Sequence, residues 1–184
     1  MDTNLQSTSR NIISSEKVKK QYFLIIASLL FCLSIYLFYR TTETVVTSIL
    51  VSLISFDTYE SIRGVIVAFF PLNYFVIYSL PEGLWVFSLT LAAKGLYLSV
   101  KTRQIDLTYL PLIFSTGLEF LQLTPFNKGE FQLLDLLACA LGWFVAKYVF
   151  KPTSETQSII KPFNYRSTLF LFLFSIVYLA HVWG

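Results

Sequence analysis

The sequence predicts an all-α fold, a polytopic transmembrane helix bundle of about five spans plus interfacial helices. Three observations predict it. Of the 184 residues, 55% are hydrophobic and 14% charged, where a soluble domain carries about a quarter charged residues. Five apolar segments of 16 to 18 residues recur along the chain, near the lower limit for crossing ~30 Å of hydrocarbon at ~1.5 Å per residue. Basic residues cluster in alternate connections between those segments, as membrane orientation requires.

The elements follow in chain order. Residues 1–21 are polar and too few to bury a core, and are expected as a cytoplasmic N-terminal tail. Arg10, Lys17, Lys19 and Lys20 precede the first span, Tyr22–Tyr39. The following "RTTETVV" offers no small-x-small cleavage site, so the run reads as an uncleaved signal anchor. Residues 41–80 contain a 13-residue apolar run, Thr44–Phe56, and a second, Val65–Leu80, interrupted by Pro71 and Asn73. If neither crosses, nine basic residues flank the spans inside and three, Arg40, Arg63 and Lys128, outside. If Val65–Leu80 crossed, every later loop would invert and the positive-inside rule would fail. Residues 41–80 are therefore expected as one or two helices on or dipping into the outer interface. The turn "LPEG" at 80–83 then leads into the remaining spans, Gly83–Val100, Leu107–Leu123, Leu133–Phe150 and Thr168–Trp183. Residues 22–184 form a single bundle.

Helical spacing organises the polar residues inside the spans. Thr108, Ser115, Glu119 and Gln122 share one face, and Gln132, Asp135, Cys139 and Gly142 share one face of the next helix. Small residues at Ser88, Ala92, Gly95 and Ser99 would let helix backbones approach closely. The turn "TPFNKGE", residues 124–130, sets the end of one of these spans beside the start of the next. Glu82, Glu119 and Asp135 then gather near the outer leaflet. A charge at mid-bilayer costs ~2.5–3.5 kcal/mol on insertion scales, so these acids should point into the bundle. Glu119, Gln122, Asp135 and Glu82 are the candidate intramembrane polar site; they serve either as interhelical glue or as a seat for a ligand, lipid headgroup or proton.

The remaining polar residues carry blander readings. Lys94 is expected to snorkel to the cytoplasmic interface, and His181 to sit at the opposite interface beside Trp183. Cys32 and Cys139 fall inside apolar runs and read as packing residues. No H-E-x-x-H, G-x-S-x-G, Walker A or C-x-x-C motif occurs, and a single His cannot build a metal cluster. No catalytic residues, cofactor or metal are expected. No basic run interleaved with aromatics exists for nucleic acid.

The Glu119–Gln122 pair followed by Asp135 and Gly142 resembles the E-x-x-Q … D … G pattern of the VanZ-like family of small bacterial membrane proteins. The match covers about 30 residues and extends to 80–150. That family also carries an acidic–basic pair and a His at the start of the preceding helix; here "LPEGLW" supplies Glu82 without the Lys or His. The resemblance implies a role linked to glycopeptide (teicoplanin) resistance. Size and span pattern also resemble the KwaA membrane-subunit family of the two-gene Kiwa anti-phage system, which works with a cytosolic DNA-binding partner.

The leading expectation is a non-enzymatic bacterial inner-membrane sensor or anchor in anti-phage defence. It would dock a cytosolic effector on its N-terminal 20 residues and on "KPTSETQSIIKPFNYR", 151–166. The alternative is a VanZ-like envelope or antibiotic-resistance protein binding a lipid or drug headgroup. The bilayer is the expected partner in both, homo-oligomers are expected from the small-residue faces, and direct nucleic-acid contact is not.

Overall fold

The computed structural model describes residues 2–40, 45–123, 132–150, 156–160 and 164–182, with side chains outside 2–15, 17, 45–46 and 178–182. The described chain is mostly helical. Its order is α1 (Asp2–Phe38), α2 (Val45–Ile54), α3 (Phe56–Phe69), α4 (Tyr74–Ala93), β1 (Leu96–Val100), β2 (Arg103–Asp106), α5 (Leu110–Gln122), α6 (Leu133–Phe144), β3 (Gln157–Ser158) and α7 (Tyr165–Val182). A 3-10 turn, Leu107–Tyr109, leads into α5, and a π-helical turn, Val145–Val149, extends α6. Among the described residues two segments are long and apolar enough to cross a membrane, Val18–Phe38 of α1 and Tyr74–Ala93; Tyr165–Val177 of α7 is a shorter apolar stretch.

Helix α4 is the hub, and it corrects the expected second span. The helix begins nine residues before Gly83 and stops at Ala93 rather than Val100. "LPEG" is no turn: Pro81 lies inside the helix. Asn73 starts it, its side chain accepting from Val76 N at 3.0 Å. Pro81 removes one ladder donor, and the carbonyl of nearby Tyr78 takes a bond from Arg40 Nη2 at 3.1 Å. Helix α1 runs antiparallel along α4. Gln21 Nε2 donates to Leu91 O (2.6 Å), and Cys32 Sγ to Pro81 O (3.5 Å). Both Cys32 and Cys139 are free and buried.

One close helix approach lies outside the predicted Ser88–Ser99 stripe. It is the crossing of α4 and α6, where a Cβ built on Gly83 would lie 2.6 Å from Ala138 O, and one on Gly142 would collide with Gly83 O. Around this crossing Trp85, Val86, Leu89, Cys139 and Val177 form one core, with Phe114 and Trp143 packed against it. Phe170 anchors α7 in a second core with Ala93, Leu96, Leu107 and Ile159.

After α4 the mostly helical chain carries three short strands. Gly95, at φ 76°, ends the helix in the left-handed conformation that glycine tolerates. "LYLSV" then pairs with "RQID" as an antiparallel hairpin, closed by a two-residue loop with Lys101 at φ 54°. Strand β3 pairs parallel with β1, giving the order β2-β1-β3. A short apolar run has no decisive period of its own, and the aromatic and β-branched residues here choose strand. Lys94 does not snorkel. It is 5% exposed, and its Nζ donates to Lys147 O (2.8 Å) and to Phe150 O, capping the carbonyls at the end of the π turn.

Helices α2 and α3 follow α1; α2 falls within the expected Thr44–Phe56 run, while the Val65–Leu80 run is divided between the end of α3 and the start of α4. Tyr59 OH donates to Leu37 O (2.6 Å) and Arg63 Nε to Phe38 O (3.1 Å), satisfying carbonyls that the end of α1 leaves open. The 124–130 turn, the side chain of His181, Trp183, and residues 151–155 and 161–163 of the predicted docking segment lie outside the described residues.

Candidate functional site: an acid cluster between four helices

One end of the bundle gathers charge. Helix α4 contributes Tyr74, Ser79 and Glu82, α5 contributes Glu119 and Gln122, and α6 contributes Gln132 as its N-cap and Asp135 in its first turn. Arg40 arrives from just beyond α1. Glu82 and Glu119 are 9% and 6% exposed, so both must be compensated from within the protein.

Glu82 is. Its Oε1 accepts from Tyr36 OH at 3.1 Å and from Arg40 Nη2 at 3.3 Å, and its Oε2 from Trp85 Nε1 at 2.7 Å. The Arg40 guanidinium also stacks over the Tyr36 ring at 3.9 Å. Glu82 is therefore ion-paired with a base from the residues just beyond α1.

Glu119 reaches the start of α6, and Asp135 lies opposite Ser79. Glu119 Oε2 accepts from Gln132 N at a long 3.4 Å, while the Gln132 amide donates to Tyr74 OH at 2.8 Å. Asp135 faces Ser79 across the α4–α6 crossing, close enough to interact. Yet Asp135 Oδ1 and Ser79 Oγ are buried outside hydrogen-bonding geometry, as are Gln122 Oε1 and Arg40 Nε. Glu82, Glu119 and Asp135 all lie within electrostatic reach of the buried Cys139. The three acids thus lie in one region, and Gln122 follows Glu119 by three residues on α5. Among the described residues no group of three or more His, Cys, Asp and Glu is placed to hold a metal ion.

Sequence reasoning missed Arg40, Tyr36, Trp85 and Ser79. The signal existed: an arginine directly after an apolar run can reach back into a neighbouring helix. Finding it required α4 to start at Tyr74, which places Tyr78 and Glu82 on one face four residues apart.

The other end of the same helices is basic. Lys147 Nζ lies 3.6 Å from Asp106 Oδ2 and 3.2 Å from the centre of the Tyr109 ring. Trp143 Nε1 donates to Thr108 O (2.9 Å), and Arg166 Nη2 to Lys94 O (2.6 Å). Burial pushes the Lys94 ammonium below the ordinary lysine range, against the upward pull of Asp106. No family model, curated protein or solved structure matches this chain.

Proposed function

We propose that this chain is a multi-pass bacterial inner-membrane protein that seats a donor-rich headgroup in its acid cluster and performs no chemistry on it. Its surface supports the membrane setting. Phe23 and Leu30 of α1, Ile113 of α5, Leu141 of α6 and Phe172 of α7 are all exposed, an apolar coat that water would not tolerate and acyl chains would. Basic Lys94, Lys101, Arg103 and Arg166 fall at the end of the helices expected inside, and the acid cluster at the end expected outside.

The observation that carries the ligand chemistry is the set of buried, unmatched acceptors. Asp135 Oδ1 and Gln122 Oε1 are buried outside hydrogen-bonding geometry, although the Ser79 hydroxyl lies opposite Asp135. Three carboxylates against one guanidinium leave the cluster two negative charges in excess when all are ionised. A group bearing an ammonium or several hydroxyls supplies what is missing. Both the ethanolamine headgroup of a lipid and an amine-bearing glycopeptide have that chemistry, and the second is the VanZ-like role.

The test is binding to Glu119→Gln/Asp135→Asn. Wild-type protein in nanodiscs should be more heat-stable with phosphatidylethanolamine than with phosphatidylcholine, whose quaternary amine has no donors, or should bind teicoplanin. The double variant should bind roughly tenfold or more weakly, as expected for lost hydrogen bonds to charged groups. Loss of the folded protein instead, with no headgroup preference in wild type, would identify the acids as interhelical glue.

A second reading, an anchor for a cytosolic effector in phage defence, is favoured by one feature. Helix α1 continues without a break from Asp2 to Phe38, so its first 16 residues precede the apolar span Val18–Phe38 as a helical arm ~24 Å long. A partner that docks there and on 151–166 should co-purify in detergent and be lost when 151–166 becomes a Gly/Ser linker of equal length. Its retention after both that exchange and removal of the tail would exclude docking.

A further inference from the structure

Under the β1–β2 hairpin, some 12 residues along α4 from Glu82, a cleft of about 380 Å³ opens between Lys94, Tyr97, Gln104, Asp106, Thr108 and Lys147. That volume is at the lower end of small-ligand sites, ~300–1,000 Å³. Its walls are built rather than incidental. Lys94 and Thr108 are each 5% exposed. The Lys94 ammonium is bonded to main-chain carbonyls alone, and no carboxylate among the described residues forms an ion pair with it. Thr108 Oγ1 is buried with no hydrogen-bond partner. Lys147 is held at the rim by Asp106 and by the face of Tyr109.

Two ammonium groups, an unpartnered hydroxyl and the Gln104 amide surround this space against a single carboxylate, leaving one positive charge in excess. That donor set suits a tetrahedral oxyanion. We propose that the cleft binds a phosphate ester: Lys94 and Lys147 neutralise its charge, and Thr108 donates to one of its oxygens. Asp106 is the built-in competitor. It holds Lys147 while the cleft is empty and releases it to the ligand. The ester has two sources, the phosphodiester of an anionic lipid lying against α5 and α6, or a soluble phosphate monoester reaching the hairpin from water. Nothing in this inference depends on the acid cluster at the other end.

The test uses the full-length protein in phosphatidylcholine nanodiscs, with thermal unfolding as the readout. One arm adds glycerol 3-phosphate or inorganic phosphate against chloride at equal ionic strength. The other exchanges part of the lipid for phosphatidylglycerol. The expected result is stabilisation in at least one arm, and the responding arm identifies the source. Lys147→Gln should weaken the response about tenfold, the loss of one charged bond. Asp106→Asn keeps the side-chain oxygen that caps Thr108 N but frees Lys147, and should strengthen the response severalfold. Should Lys147→Gln fail to fold, Asp106→Asn alone decides. No response in either arm, or an Asp106→Asn response equal to wild type, overturns the assignment.

Discussion

Gly142→Ala is expected to unfold the bundle. A methyl group there meets the Gly83 carbonyl, its carbon at 3.0 Å and its Cα at 3.3 Å, and all are backbone atoms that cannot rotate aside. Relief requires α4 and α6 to move apart, which loosens the packing of Trp85, Val86, Leu89 and Cys139 together. Overpacking of this kind costs about 3 kcal/mol or more. Helix propensity acts in the other direction, since Ala is favoured over Gly by only about 1 kcal/mol. The steric cost therefore wins. Gly117→Ala is the matched control, because nothing lies within 4 Å of a Cβ built there. It should leave stability unchanged or raise it by up to about 1 kcal/mol. Denaturant unfolding in detergent separates the two; equal stability for both variants would mean that the helices do not cross at Gly83 and Gly142.

Arg40→Met should be nearly as damaging. It strips the Arg40 cation from Glu82, a carboxylate whose side chain is 11% exposed, while Arg40 itself is 20% exposed. Removing one partner of a buried pair costs about 3–5 kcal/mol because the other charge is left uncompensated. Arg40→Met/Glu82→Gln removes both charges and should recover a large part of that loss, with a coupling energy of about 2 kcal/mol. In that double variant Trp85 can still donate to the side-chain amide oxygen, and Tyr36 OH can accept from the amide nitrogen. Additive losses, measured by the same unfolding assay, would show that Arg40 and Glu82 do not act as a pair.

Much of the acid cluster was legible from spacing alone. Glu119 and Gln122 are three residues apart, and Asp135 and Cys139 four, so each pair shares a helix face, and carboxylates in apolar runs turn inward. Gly142 was legible from spacing as a member of one helix face with Asp135 and Cys139; its physical reason, the close passage of Gly83, is tertiary. The register of α4 was misread for a local reason. Pro71, Asn73 and Pro81 each signal a break, but Pro71 precedes the helix, Asn73 caps it, and Pro81 is tolerated inside it. The hairpin was hidden because "LYLSV" continues the apolar run of α4, and only Gly95 marks the change. Lys94 was misplaced for the same reason: the carbonyls it satisfies belong to residues more than 50 positions away.

The π-helical turn at Val145–Val149 sets one residue more into its loop than an α-helix would. Each residue advances the side chains by ~100° around the axis, so this surplus residue re-aims everything after Phe144. Asp135 and Gly142 keep the phase of the main helix, while Lys147 takes the phase that brings it to Asp106 and Tyr109. One helix thus serves two unlike neighbourhoods with independent rotational settings. Losing or gaining a residue in this turn would re-point one end and leave the other untouched, so the two ends of the molecule are free to diverge separately.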